Sequence, residues 1–215
     1  ILQLGINDNL VNNYLKEKYP SCSIRSADID LSIFTNKTDL KLIEIDLDNL
    51  QIKNNEFDMI FSNFFCHLTS NFEKLIKNIC QSLRPNGFFI ATIPSTENLY
   101  QLVNSMYETD SMLYGGMYQR VNPILDTNDI FKLLKLYNFD APLINANNFT
   151  IEYSTFKKLI EDVRYLNLSY AGTDKKNNFE NKKYFSHLEK EFRKKYYKEN
   201  FNLDIKYNTI CAWKK

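Results

Sequence analysis

"FDMIFSNFFCHLTSNFEKLIKNICQSLRPNGFFIATI", residues 57–93, decides the fold. Its first eight residues, "FDMIFSNF", form a nearly continuous apolar run of strand length. "NFEKLIKNICQSL" then places Phe72, Leu75, Ile76, Ile79 and Leu83 on one stripe at helical spacing. "RPNG" follows, with Pro85 presetting φ and Asn86-Gly87 closing a turn. "FFIATI", residues 88–93, is a second apolar run. Strand, helix and strand in this order, with strands apolar on both faces, predict a parallel sheet covered by helices on both sides.

The same rhythm extends upstream. "ILQLG" reads as a buried strand ending at a glycine, and "DNLVNNYLKEKYP" as a helix stopped by Pro20. Asp8 fits its N-cap, and Leu10, Val11, Tyr14 and Leu15 fall on one face. "CSIRSADI" and "LKLIEID" (residues 40–46) are two further strands. Downstream the pattern loosens. Helical spacing recurs in "TENLYQLVNSMYE", "TNDIFKLLKLYNF", "STFKKLIEDVRYL" and "FSHLEKEFRKKYYKE", while "NFTIEYS" and "NLDIKYNTICAW" read as strands that pair at a sheet edge. "YGGMYQRVNP", residues 114–123, holds the chain's only glycine pair and reads as a loop that needs conformational freedom. No repeat or low-complexity linker divides the chain, so the 215 residues read as a single domain.

Bulk properties narrow the function. A formal net charge of +1 gives no global field for nucleic acid or anionic lipid. "KKNNFENKK" and "EFRKKYYKE" are locally basic, but interleaved carboxylates make them solvated faces, so no nucleic-acid role is expected. Cys22, Cys66, Cys80 and Cys211 form no CxxC pair, and only His67 and His187 could join them, so neither a zinc site nor another metal is expected. They read as free thiols of a reducing compartment. No apolar run approaches the length of a membrane span, and no signal peptide is visible. Because the chain opens on a core strand, a further N-terminal segment is expected to precede it.

Ligands of open α/β sheets bind at the carboxyl ends of the strands. There the sequence places Gly5 after the first strand and Asp28 after the second, 28 − 5 = 23 residues on. That is close to the ~20-residue spacing at which a carboxylate accepts hydrogen bonds from ribose hydroxyls. Asp30 is a near rival. After the third strand Asp46 could accept from an exocyclic adenine amine, with Leu47 giving an apolar face and a backbone N–H; Asn63 follows the fourth strand and could floor the pocket. Each aspartate could equally cap a turn. His67 beside Cys66 is no catalytic pair, because adjacent strand residues point to opposite faces.

The run from 57 to 102 resembles the class I S-adenosylmethionine (SAM)-dependent methyltransferases. Narrower signals, "NLYQL", "GGMYQRVNP", "LLKLYNFDAP", "TIEYSTFKKLIEDVRYLNLSYA" and the closing "CAWKK", resemble the group of complex I assembly-factor methyltransferases and malonyl-carrier-protein O-methyltransferases of biotin synthesis. The resemblance implies a Rossmann-like fold with a mostly parallel seven-stranded sheet and an antiparallel edge strand. It implies a SAM site at Gly5, Asn7, Asp28, Asp46, Leu47 and Asn63. Residues 99–126 and 155–200 become substrate-side insertions, with Tyr100 and Arg120 on the substrate. Asn7 and Asn9 stand where the family's next loop glycines would be, and Gln3 replaces its usual acidic residue. A strained left-handed asparagine costs about 1–2 kcal/mol, so SAM binding is expected to weaken roughly tenfold.

The activity implied is methyl transfer to a small acid, an acyl-carrier-linked group or a protein. Positioning would dominate such a step, and no catalytic residue stands out. The group also implies an alternative: a non-methylating assembly factor for respiratory complex I, with a respiratory-chain protein as partner and one of its arginines as target. The expected setting is the bacterial cytoplasm or the mitochondrial matrix, as a monomer or homodimer.

Overall fold

Strand β1 (Leu2–Leu4) is three residues long and fully buried, which places it inside a sheet. The structure, a computed structural model, describes residues 1–6, 10–32, 41–165 and 180–215. The elements that follow β1 are α1 (Leu10–Lys18), β2 (Arg25–Asp28), β3 (Lys41–Glu44), β4 (Phe57–Asn63), α2 (Phe72–Ser82) and β5 (Leu83–Pro94). Next come α3 (Tyr100–Tyr114), α4 (Thr127–Leu136), β6 (Phe139–Tyr153), α5 (Phe156–Tyr165), α6 (Lys182–Tyr196) and β7 (Phe201–Lys214). The seven-stranded sheet has the order β3-β2-β1-β4-β5-β7-β6. β1 pairs parallel with β2 and β4, β2 with β3, and β4 with β5. The sheet is mostly parallel, with antiparallel strands at its edge, as the sequence implied.

The chain divides into two compact units. The first comprises Ile1–Pro94, Leu125–Ala146 and Asn208–Lys215. Its strands alternate as their pleat requires: Ile60 enters the cluster with Leu75, Ile76 and Ile79 of α2, whereas neighbouring Phe61 enters a separate cluster with Leu15 of α1. Helices therefore cover both faces. Asn71 caps α2, its Oδ1 accepting from the Lys74 N–H at 2.9 Å. "RPNG" lies inside β5 as an irregularity. Partners run from Phe57–Leu83 to Met59–Phe88, so β5 advances 88 − 83 = 5 residues while β4 advances 59 − 57 = 2. Asn86 takes a left-handed φ of 62° within it.

Helix α1 corrects one expectation. Leu10, Val11 and Tyr14 face solvent at 71, 43 and 59% exposure, and the buried residues are Asn12 and Leu15. The reason is a polar lock under the helix. Asn12 Nδ2 and the Ser26 hydroxyl both donate to Gln3 Oε1, at 2.7 and 2.9 Å, joining α1, β2 and β1. These bonds hold Asn12 inward, which leaves Leu10, Val11 and Tyr14 on the outer side of the helix. The Asp8 cap falls outside the described residues.

The second unit comprises Ser95–Ile124 and Asn147–Tyr207. Its core joins Leu102 of α3, Leu159 of α5, and Leu188 and Phe192 of α6 with Phe201 and Leu203 of β7. Gly115 closes α3 in the left-handed conformation at φ 70°, its N–H donating to Ser111 O at 3.1 Å. β6 begins at Phe139, nine residues before the expected "NFTIEYS". Asp140, Pro142 and the asparagines disguise its first half, and Pro142 is tolerated because β6 is an edge strand that needs no ladder donor there.

Candidate functional site

In the first unit, the parallel pairing brings the carboxyl ends of β1, β2, β3 and β4 side by side, with their turns following. Gly5 follows β1 at φ 85°, a conformation open to glycine. Its N–H donates to Ala27 O at 2.8 Å, and the next amide, Ile6 N–H, donates to Asp28 Oδ2 at 2.7 Å. Asp28 Oδ1 accepts from the Ile29 N–H at 2.8 Å. Asp28 is thus nearly buried, at 8% exposure, and ties the Gly5 turn to the end of β2. Oδ1 also takes a long contact from the Asp30 N–H at 3.5 Å, so Oδ2 is the oxygen with a second lone pair for a ligand hydroxyl.

Asp46 is exposed and caps a short 3₁₀ turn, Leu47–Asn49, its Oδ1 accepting from the Asp48 N–H at 2.9 Å. With Ile29, Glu44 and Ile45 it lines an open cleft of about 570 Å³. Leu47 points the other way, into the core at 4% exposure, so its side chain gives the cleft no apolar face. Asn63 Oδ1 accepts from the Thr92 hydroxyl, bridging the ends of β4 and β5. Asn7 and Asn9 lie outside the described residues. Burial pushes the Cys66 thiol up to about 11, with a smaller opposing effect from Ser62, so Cys66 is no nucleophile at neutral pH.

The loop after β4 is tied to the 3₁₀ turn by Asp48. Its Oδ1 accepts from the Thr69 hydroxyl at 2.5 Å and the Ser70 N–H at 2.7 Å, and its Oδ2 from the Ser70 hydroxyl at 2.7 Å. The Thr69 bond, helped by Ser70 and opposed by burial, holds the Asp48 carboxyl below the usual carboxylate range. A lowered folded-state value means the stabilisation is complete above the unfolded value, about 3.9, and is lost as pH falls through the folded value. Thermal melts below pH ~4 should therefore decline less steeply for Asp48→Asn than for the native chain. Parallel acid limbs would contradict this.

Two residues that sequence reasoning missed shape the site. Ile29 forms part of the cleft wall, and its 47% exposure at a strand end was signalled only by its place after Asp28. Phe65 packs against Gly5: a Cβ added to Gly5 would sit 2.5 Å from both Cβ and Cγ of Phe65. The doubled aromatic after β4 was the available signal.

Residues 2–91 match the sequence family described as a methyltransferase domain. A Haemonchus contortus phosphoethanolamine N-methyltransferase 2, solved with S-adenosylhomocysteine (SAH), superposes with a TM-score of 0.55 at 17% identity, over 99% of this chain and 48% of that one. The fold is that of the class I methyltransferases. Two further proteins are similar to most of this chain. Human mitochondrial arginine-hydroxylase NDUFAF5 is 23% identical over 179 residues, covering 81% of this chain and 52% of that protein. Malonyl-[acyl-carrier protein] O-methyltransferase 1 of Coxiella burnetii is 21% identical over 175 residues, covering 81% and 59%. The chain spans little more than half the length of either relative. Asp28 ends β2, and Asp46 lies two residues beyond the end of β3. The Gly5 face of the turn is covered by Phe65.

In the second unit of the methyltransferase fold, Arg120 is engaged within the unit rather than open as a substrate clamp. Its Nε donates to Asp110 Oδ2 at 2.9 Å, its Nη2 to Asp110 Oδ1, and its Nη1 to Glu180 Oε1 at 2.8 Å. The guanidinium lies 4.9 Å from the Tyr184 ring centroid and 5.5 Å from that of Tyr118. The Tyr114 hydroxyl donates to Glu180 Oε2 at 2.6 Å. Burial pulls the Arg120 proton affinity down, but the bonds to Asp110 and Glu180 more than offset it. Burial also pushes the Tyr184 hydroxyl well above the usual tyrosine range. Tyr100 lies elsewhere in this unit, under Lys206 Nζ at 5.2 Å and edge-on to Tyr196. Among the described residues no helix is long and apolar enough to cross a membrane.

Proposed function

We propose that this chain binds SAM at the ends of β1 to β4 and transfers its methyl group to a small acid, an acyl-carrier-linked group or a protein. The observation that carries the reading is Asp28. Its carboxylate closes the Gly5 turn through the Ile6 N–H at 2.7 Å, and Oδ2 keeps one further lone pair for a ligand hydroxyl. When bound, SAM supplies an activated methyl carbon, whose bond to sulfur breaks with its electron pair as an acceptor lone pair attacks. The chain's own part is positional. Asp28 would accept from ribose hydroxyls, Asp46 from the adenine amine along the open cleft, and the Leu47 N–H would donate to the ring edge. Asn63, steadied by Thr92, would floor the methyl-bearing end. A carboxylate acceptor is already anionic, so no general base is required.

A second reading is favoured by the arginine-hydroxylase relative and by the covered Gly5 face. In it the chain assists respiratory complex I assembly without methylating, and modifies a protein arginine. Mass spectrometry of candidate acceptors, a malonyl-carrier protein and arginine-bearing respiratory-chain subunits, separates the two after incubation with SAM and, in a parallel sample, with dioxygen and a two-electron reductant, which hydroxylation would consume. A gain of one CH2 unit supports methyl transfer. A gain of one oxygen supports hydroxylation, and a stable complex with an unmodified subunit supports assembly alone.

A further inference from the structure

The turn after β1 has two approaches for a ligand among the described residues, and one is closed. The amides of Gly5 and Ile6 face inward, held by Ala27 O at 2.8 Å and Asp28 Oδ2 at 2.7 Å, so neither is offered to a ligand. What remains is the lone pairs of Asp28 and the bare Cα of Gly5. A Cβ on Gly5 would stand 2.5 Å from Phe65 Cβ and Cγ and 2.8 Å from Cδ2. Adding a Cα–Cβ bond of about 1.5 Å leaves the Phe65 side chain in van der Waals contact with the Gly5 Cα. No ligand atom fits between them.

Phe65 reaches this place through an unusual backbone. Phe64, just after β4, adopts φ 49°, a left-handed conformation rarely taken by a bulky residue. Its N–H is held by Thr92 O at 3.0 Å and by the Thr92 hydroxyl at 3.2 Å. The distortion turns the next side chain across the ends of β1 and β4, where it is 6% exposed. Because β1 and β4 are parallel neighbours, their ends border the crevice in which open α/β sheets bind ligands.

We propose that Phe65 is the affinity-determining residue of this site: it lies over the Gly5 face that an adenosyl ligand needs, and binding requires it to move. The proposal rests on the SAM-site reading. Taking a buried phenylalanine out of its packing lowers the population of the open form, and apparent affinity falls by the same factor, about 10- to 100-fold.

Calorimetric titration of SAH into the 215-residue chain and its Phe65→Ala and Phe65→Leu variants tests this, with thermal melts reporting folding. Phe65→Ala is expected to bind at least tenfold more tightly than the native chain despite a lower melting temperature, and Phe65→Leu a few-fold more tightly. Equal or weaker binding by a folded variant, with measurable binding by the native chain, overturns the Phe65 proposal and leaves the SAM site standing. Absence of binding in every folded form overturns both. If neither variant folds, the near-isosteric Phe65→Met decides: a flexible side chain there is expected to bind SAH a few-fold more tightly, and equal or weaker binding than the native chain overturns the proposal.

Discussion

Replacing Arg120 with alanine is expected to destabilise the chain by about 3–5 kcal/mol, because it strands a buried carboxylate. The Asp110 side chain is 0% exposed, and Arg120 and Glu180 are 14 and 13% exposed. With the guanidinium removed, Asp110 loses both charge-assisted bonds and keeps the Tyr118 N–H at 3.3 Å. Glu180 keeps the Tyr114 hydroxyl at 2.6 Å and lies nearer to water, so Glu180→Gln should cost much less, on the order of 1 kcal/mol. Arg120→Lys retains charge but loses the two-pronged geometry on Asp110, and an intermediate loss is expected. Urea denaturation of the three variants gives the ranking. A loss below about 1 kcal/mol for Arg120→Ala, the range of an exposed pair, would sink this description of the second unit.

Gly5→Ala is the other large effect expected, at about 2–5 kcal/mol. Left-handed strain contributes about 1–2 kcal/mol, and forcing a methyl group against a packed ring about 1–3 kcal/mol. The first part follows from φ 85° and the second from the 2.5 Å approach to Phe65. The two parts separate in a double variant. Phe65→Ala carries its own cavity cost, but Gly5→Ala added to it should cost only the strain, so the pair couples by about 1–3 kcal/mol. Additive losses would mean that Phe65 does not rest on Gly5.

How much of this was legible depends on how local the cause is. β4, α2 and the 88–93 run of β5 were readable from their apolar period, and the sheet followed from them, whereas Leu83 and "RPNG", read as helix end and turn, belong to β5. Asp28 stood out by its place at a strand end 23 residues after Gly5, but its bonds to the Ile6 and Ile29 amides were not legible from that spacing. The burial of α1 was not, because three polar residues far apart in sequence, Gln3, Asn12 and Ser26, decide which side faces in. Arg120 was found as an isolated arginine in a glycine-bearing loop, but Glu180, its second partner, lies 60 positions away. Phe65 reads as core in sequence. Only the meeting of β1 and β4 sets it on Gly5, and no spacing rule reports that.

The central claim is an adenosyl site organised by Asp28. Its most direct measurement is the calorimetric titration of SAH into the native chain beside a folded Asp28→Asn variant. Asparagine can accept through one oxygen only, so it cannot serve the Ile6 turn, the Ile29 amide and a ribose together. The expected result is saturable binding by the native chain that weakens at least tenfold in the variant. Saturable binding of equal strength in both, or none by the native chain and by folded Phe65→Ala alike, would contradict it.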